Sequence, residues 1–268
     1  MEKTFLSPAE TLQTIINTGY EKCRMAAFQT FCLAVLAGMF IALGGFAYTV
    51  ASGVIGHPGL SKFAGAAVFP VGLIMVIICG AELFTGNNLL TTALLARKIT
   101  YREMINNWML VYAGNFIGSI FIVFLVMYSG LLNINSGGLG EQAVKIALNK
   151  VNLTFQEALI RAILCNILVV LAVWMAAAAR DVTSKIWACW FPIMLFVLSG
   201  YEHSIANMYF IPLGILLKTG GMANNSLHLT LGSFIMKNLL PVTIGNIIGG
   251  AVIIGGGCWC IYKHKLSA

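Results

Sequence analysis

Charged residues are scarce in this sequence: Asp, Glu, Lys and Arg make up 9% of its 268 residues, against roughly a quarter in an average soluble domain. A soluble fold of this length needs more polar surface, so the composition excludes a soluble protein. Each of the longest charge-free runs is near or above the ~20 apolar residues that span a bilayer as a helix. These runs are 25–61, 104–140, 162–179 and 238–262. We therefore predict one polytopic transmembrane domain over residues 1–268, with the lipid bilayer as a partner.

Motifs for catalysis and for cofactor or metal binding are also missing. The seven cysteines form no CxxC pair, and Cys258-Trp-Cys260 has the wrong spacing for a zinc knuckle. No phosphate-binding glycine loop, nucleophile elbow or metal-spaced His/Cys cluster occurs, so we predict no enzyme, no cofactor and no metal. None of the six prolines follows an asparagine, so the Asn-Pro-Ala motifs of an aquaporin or glycerol channel are absent.

The net charge of +7 follows membrane topology and does not indicate nucleic acid as a partner. With six spans, ten basic residues fall on one side and six on the other, which fits the positive-inside bias with both termini cytoplasmic. The ten are Lys3, Lys22, Arg24, Arg97, Lys98, Arg102, Arg180, Lys185, Lys263 and Lys265, and the six are Lys62, Lys145, Lys150, Arg161, Lys218 and Lys237.

Three capping boxes mark helix starts. Ser7-Pro8-Ala9-Glu10 precedes apolar residues at helical spacing, which predicts an amphipathic helix over residues 8–22 at the cytoplasmic interface. Thr100 with Glu103, and Thr154 with Glu157, place two further helix starts near residues 101 and 155.

Two long apolar segments each hold a single charge near the middle. Residues 63–96 contain Glu82 and residues 186–217 contain Glu202, with a glycine just before each glutamate. Both are too long for one straight span at about 1.5 Å per residue. We predict that spans 2 and 5 are interrupted there.

The two segments also resemble each other. Residues 80–87 (GAELFTGN) align without gaps on residues 200–207 (GYEHSIAN), and the next spans repeat the pattern Asn…Gly-Asn-x-x-Gly at residues 107–118 and 238–249. Each half holds three spans, an odd number, so the second copy enters the membrane from the opposite face. We predict an all-α bundle of two inverted repeats, near residues 25–134 and 135–263, with a transport pathway at the broken helices.

The two glutamates are candidates for holding the broken loops. An intramembrane carboxylate is costly and is usually functional or tightly paired. The structural interpretation is that Glu82 and Glu202, with Asn87 and Asn207, pin the loops, and that each glutamate accepts backbone N–H bonds. The functional alternative is a proton relay or a cation site.

Three other polar residues are candidates for the pathway. His203 stands where the first repeat has Leu83, and a histidine donates hydrogen bonds and changes charge near physiological pH. Thr85 offers a hydroxyl at similar depth, and Lys150, on the extracytoplasmic connection, is a candidate vestibule charge that concentrates anions. The alternatives are a core histidine, a helix-capping threonine and a solvated lysine.

Apolar side chains near this centre are candidates for constrictions that gate by dewetting. They are Phe69, Leu73, Phe84, Val169 and Phe196. Ordinary helix packing is the alternative for each.

Residues 80–86, 164–174 and 200–208 resemble the signature segments of the formate/nitrite transporter family, most closely its bacterial hydrosulfide channel branch. The resemblance covers essentially the whole chain and implies an aquaporin-like protomer in a homopentamer of the bacterial inner membrane, with one pore per subunit. It implies a central site of His203 and Thr85, constrictions at Phe196 and Leu73, Lys150 as the family's lysine, and the first broken loop as a gate. Val169-Val170 departs mildly from the Val-Cys of many relatives.

We therefore predict a channel for small anions of weak acids, namely hydrosulfide, formate and nitrite. A proton-coupled anion carrier on the same scaffold remains the alternative, because Glu82, Glu202 and His203 are groups that coupling can use.

Overall fold

The computed structural model describes residues 4–133, 137–219 and 228–266, and these are almost entirely helical. The α-helices are α1 (Pro8–Arg24), α2 (Ala27–Gly53), α3 (Pro58–Val68), α4 (Val71–Ile78), α5 (Leu90–Leu95), α6 (Tyr101–Tyr128), α7 (Gly138–Val151), α8 (Phe155–Ala178), α9 (Val182–Ser199), α10 (Ser204–Thr219), α11 (Leu240–Ile247) and α12 (Gly257–Tyr262). Short 3₁₀ segments lie at Gly86–Leu89, Leu131–Asn133 and Lys263–Lys265, and π-helical segments at Ser233–Leu239 and Ile248–Gly256.

Six helices in the described residues are long and apolar enough to cross a membrane, as the sequence predicts. They are Ala27–Gly53, Pro58–Ile78, Tyr101–Tyr128, Phe155–Ala178, Val182–Ser199 and Ser233–Lys265. The chain is therefore a multi-pass membrane protein.

All three predicted capping boxes are present. The hydroxyls of Ser7, Thr100 and Thr154 each accept a hydrogen bond from the backbone of the glutamate three residues on, and each glutamate side chain accepts one in return. These reciprocal bonds satisfy backbone donors that have no partner within the helix.

Helix α1 packs its apolar face against the protein itself. Leu12, Ile15, Ile16 and Gly19 are buried. A Cβ atom added at Gly19 would lie 2.9 Å from the Cβ of Ala93 in α5. The sequence predicts an amphipathic helix over residues 8–22, and the structure extends it to Arg24.

Both predicted interruptions are present, and a glycine opens each one. Helix α4 ends at Ile78 and Gly80 takes φ +69°, while α9 ends at Ser199 and Gly200 takes φ +74°. Residues with a side chain rarely adopt this left-handed backbone conformation, and glycine adopts it easily because it has no Cβ atom. Residues 79–85 and 200–203 form the two broken loops.

Glycines in α6 and in the sixth span let neighbouring helices touch backbone to backbone. A Cβ atom at Gly118 would overlap the carbonyl oxygen of Val35 in α2, and one at Gly249 would overlap that of Ile163 in α8. This close approach brings asparagines of both spans within reach of the broken loops, as described below.

Candidate functional site

The first broken loop is held by a buried network of charged and amide groups. The Nζ atom of Lys22 lies 2.9 Å from Oε1 of Glu82 and donates to Oδ1 of Asn87 at 2.7 Å. Asn87 Nδ2 donates to Glu82 Oε2 at 2.6 Å and to Oδ1 of Asn107 at 2.9 Å. The carboxylate of Glu82 is therefore neutralised by a lysine from α1.

The second broken loop has the same network from the other half of the chain. Lys150 Nζ lies 2.9 Å from Oε1 of Glu202. Asn207 Nδ2 donates to Glu202 Oε2 at 2.7 Å and to Asn238 Oδ1 at 2.7 Å. The structure thus brings together both predicted Glu–Asn pairs.

The prediction that backbone N–H groups bind the two glutamate carboxylates is wrong. The sequence interpretation gave each carboxylate backbone N–H donors, but its partners among the described residues are the side chains of a lysine and of asparagines. A cation is the stronger choice because it cancels the charge that burial penalises.

Two further asparagines hold the backbone of the loops. Asn115 Oδ1 accepts from the backbone N–H of Phe84 at 2.9 Å, and its Nδ2 donates to the carbonyl of Glu82 at 2.9 Å. Asn246 Oδ1 accepts from Ser204 N at 2.9 Å, and its Nδ2 donates to the carbonyl of Glu202 at 3.0 Å. The repeated Gly-Asn pattern in the sequence contained these residues, but it was used only to recognise the repeat.

Thr85 and His203 meet between the two loops. Thr85 Oγ1 and His203 Nε2 are 2.9 Å apart, and the residues are 0% and 2% exposed. His203 Nδ1 accepts a hydrogen bond from the backbone N–H of Ala206 at 3.0 Å, near the start of α10. The ring proton of the neutral imidazole therefore sits on Nε2, which donates to the Thr85 hydroxyl and leaves the hydroxyl proton free to point elsewhere.

Two cavities are lined by residues of the broken loops, Ala81 and Leu83 in one and Gly200–His203 in the other. The first, which we call the Lys22 cavity, measures about 100 Å³ and is lined by Lys22, Leu73, Val76, Leu83, Asn87 and Val173, among others. The second, the Lys150 cavity, measures about 90 Å³ and is lined by Tyr48, Phe69, Lys150, Phe196, His203 and Phe210, among others. Each cavity therefore contains one lysine.

Three of the five predicted constriction residues line these cavities. The rings of Phe69 and Phe196 meet edge to face at 5.6 Å, and Phe196 stacks on the His203 ring at 5.9 Å. Leu73 lines the Lys22 cavity.

The other two predicted constriction residues line neither cavity. The Phe84 ring packs against Trp108 and Tyr112 at 6.0 and 4.9 Å and faces a groove between α6 and α11. Val169 is buried on α8, and Val173, one turn further on, lines the Lys22 cavity instead.

Lys150 is not a solvated lysine on a loop. Lys150 lies in the last turn of α7, its side chain is 15% exposed, and its ammonium lies 5.4 Å from the centre of the Phe210 ring. Lys22 is the counterpart of Lys150 in the first network, but the sequence analysis counted it only among the basic residues that set the topology. Lys22 and Lys150 are 128 residues apart, a separation similar to that between the other matching residues of the two repeats. This separation was the signal that could have identified Lys22.

The two networks differ at the second asparagine and at the lysine. Asn238 Nδ2 donates to the carbonyl of Lys150 at 2.9 Å and to Glu202 Oε2 at 3.2 Å, and Asn107 makes no such bonds among the described residues. Asn87 Oδ1 accepts from Lys22, whereas the buried Asn207 Oδ1 has no partner among the described residues. The Lys150 ammonium rests on the Phe210 ring instead. Lys150 thus keeps more of its N–H donors for the cavity.

Metal binding has no support in the part of the chain that the structure describes. No group of three or more His, Cys, Asp or Glu side chains lies together there in a way that would hold a metal ion.

Comparison with known proteins identifies the class. A family model described as formate/nitrite transporter matches residues 9–260, so the chain belongs to the formate/nitrite transporter family. It is a membrane transport protein and not an enzyme, as predicted, because its relatives are channels and transporters.

Individual relatives are similar along nearly their whole length. The chain is 39% identical over 272 residues to "Formate channel FocA" of Escherichia coli (strain K12), covering 97% of this chain and 95% of that one. It is 39% identical over 283 residues to "Probable formate transporter" of Methanothermobacter thermautotrophicus, covering 99% and 100%.

Two solved structures share the fold. One, described as "Pentameric formate channel with formate bound", matches with a TM-score of 0.80 and 38% identity over 89% of this chain and 98% of that one. The other, described as "FNT family ion channel", matches with a TM-score of 0.85 and 29% identity over 94% and 98%.

Proposed function

We propose that this protein is a channel for small monovalent anions of weak acids, namely formate, nitrite and hydrosulfide. The observation that carries the proposal is the Thr85–His203 pair in the two broken loops, whose residues also line two cavities that each contain a lysine. The similarity to formate channels supports an anion as the substrate.

Each group of residues has its own role in moving the anion. Lys22 and Lys150 attract the anion into the two cavities, and the apolar groups beside them disfavour hydrated ions. The neutral His203 ring and the Thr85 hydroxyl then offer hydrogen-bond donors without a fixed charge. A donor at this depth lowers the cost of removing water from the anion.

The architecture that we propose is an aquaporin-like protomer built from two inverted repeats. The duplicated Lys–Glu–Asn–Asn networks, one in each half of the chain, support it. We also propose a homopentamer with one pore per subunit, located in the bacterial inner membrane. The pentameric formate channel with a similar fold supports this assembly.

Flux into liposomes tests the proposed function. We expect the purified protein to carry formate, nitrite and hydrosulfide down their gradients, and to continue when the proton gradient is abolished. Flux that stops without a proton gradient would instead identify the proton-coupled carrier. No flux of any of the three anions would refute the proposal.

The role of the lysines is tested in the same assay with paired substitutions. Lys150→Gln together with Glu202→Gln removes the ammonium but leaves no unpaired buried charge. Because a cavity without its cation captures fewer anions, we expect roughly tenfold lower flux at low anion concentration and partial recovery at high concentration. The control is Lys145→Gln, an exposed lysine on the same helix. Equal effects of the two changes would make Lys150 an ordinary surface charge.

The bias of basic residues and the even number of spans predict a topology with both termini cytoplasmic. Single cysteines replacing Lys145 and Lys265, in a background without the native cysteines, should be labelled from opposite faces of the membrane. The reason is that an odd number of spans separates the two positions in the predicted six-span order. Labelling of both from the same face would contradict the inverted repeat.

A further inference from the structure

Tyr48 of α2 lines the Lys150 cavity together with Lys150 and His203. Its place beside two proposed pathway residues makes the chemistry of its hydroxyl relevant to the anion.

The ring of Tyr48 is held in place from two sides. It meets the Phe210 ring edge to face, with centroids 5.9 Å apart and an interplanar angle of 79°. On the other side it lies against Gly65 of α3, where an added Cβ would come 2.7 Å from Cδ2 of Tyr48. The orientation of the hydroxyl is therefore built into the packing.

The Tyr48 hydroxyl has no hydrogen-bond partner among the described residues, whereas Lys150 and His203 also bond to other residues of the protein. Lys150 is paired with Glu202, and both ring nitrogens of His203 are bonded. Tyr201 also lines the cavity, but no aromatic ring of the described residues packs against it. Tyr48 thus offers a fixed and unused donor.

We propose that the Tyr48 hydroxyl binds the anion in the Lys150 cavity and favours oxyanions over hydrosulfide. This inference rests on the proposed function. The Lys150 charge is partly compensated by Glu202 at 2.9 Å, so an anion there gains from a second donor. A hydroxyl forms a short, charge-assisted hydrogen bond with a carboxylate or nitrite oxygen. Sulfur is a weaker acceptor, so hydrosulfide gains less from the same donor.

The test is Tyr48→Phe in liposomes, because it removes only the hydroxyl oxygen and keeps the ring. We expect formate and nitrite flux at low concentration to fall roughly tenfold, since a hydrogen bond to a charged group is lost. Hydrosulfide flux should change by less than about twofold. The decisive quantity is the ratio of formate to hydrosulfide flux, which a general loss of folded protein leaves unchanged.

Two further variants make the test specific. Gly65→Ala should displace the ring and lower the same ratio with the hydroxyl still present. Tyr209→Phe is the matched control, because Tyr209 is fully buried and its hydroxyl also lacks a described partner, but it does not line the Lys150 cavity. Its ratio should equal that of the wild type.

An unchanged ratio in Tyr48→Phe, or a lowered ratio in Tyr209→Phe, would overturn the inference. A lowered ratio in Tyr201→Phe with none in Tyr48→Phe would assign the donor to Tyr201 and overturn it as well. These outcomes differ from failure of the proposed function, which is the absence of anion flux in the wild type.

Discussion

Replacing His203 by leucine is expected to lower anion flux roughly ten- to hundredfold, the factor that corresponds to losing a hydrogen bond to a charged group in a buried site. The Nε2 donor that faces Thr85 disappears, and an apolar group takes its place in the wall of the Lys150 cavity. Remaining flux should also lose the anion preference and pH response of the wild type. Flux is measured in liposomes, and the quantity of assembled protein by gel filtration.

The structure shows that leucine also removes a structural bond, because His203 Nδ1 accepts from the backbone of Ala206. His203→Asn separates the two roles, since asparagine is a good helix N-cap but has no Nε2 donor. We expect both variants to lose flux, and only His203→Leu to lose about 1 kcal/mol of stability. Wild-type flux and selectivity in His203→Asn would exclude the ring from the pathway.

The largest effect on stability is expected from Glu202→Gln. This change leaves the Lys150 ammonium, 15% exposed, without its carboxylate. Removing one partner of a buried ion pair costs about 3 kcal/mol or more, because the remaining charge is uncompensated. Thermal unfolding in detergent should show a large drop for Glu202→Gln and substantial recovery when Lys150→Gln is added.

Glu82→Gln is the matched comparison in the other network. Lys22 is more exposed, at 26%, and keeps the oxygen of Asn87 as a second acceptor. We therefore expect a smaller loss for Glu82→Gln than for Glu202→Gln. A double Lys150→Gln, Glu202→Gln variant as unstable as Glu202→Gln alone would mean that the unpaired charge is not the cause.

The sequence predicts those parts of the molecule that depend on local chemistry or on the internal repeat. The capping boxes depend on residues three apart, and their bonds are present. The breaks are predicted by a glycine and a glutamate inside segments too long for one span. The broken loops also contained His203 and Thr85 as candidates, and the family resemblance paired them; they lie in different halves and are in contact.

Other features depend on which way a side chain turns, and the sequence does not carry that information directly. Residues 79–85 are not helical, so periodicity says nothing about the direction of Phe84, which packs against Trp108 and Tyr112. Lys22 lies far along the chain from Glu82, and in the sequence it is one of several basic residues near the ends of the spans. Their pairing becomes visible only when α1 packs against the bundle.

The different settings of the two lysines bear on the direction of transport. Lys22 is held by a carboxylate and an amide. Lys150 is held by a carboxylate and lies over an aromatic ring, and Asn207 Oδ1 has no partner in the part of the chain that the structure describes. A pore with unequal mouths captures anions with unequal affinity at its two ends. We therefore expect inward and outward flux through the proposed channel to saturate at different concentrations, so that a pathway built from two copies of one motif would act as a rectifier.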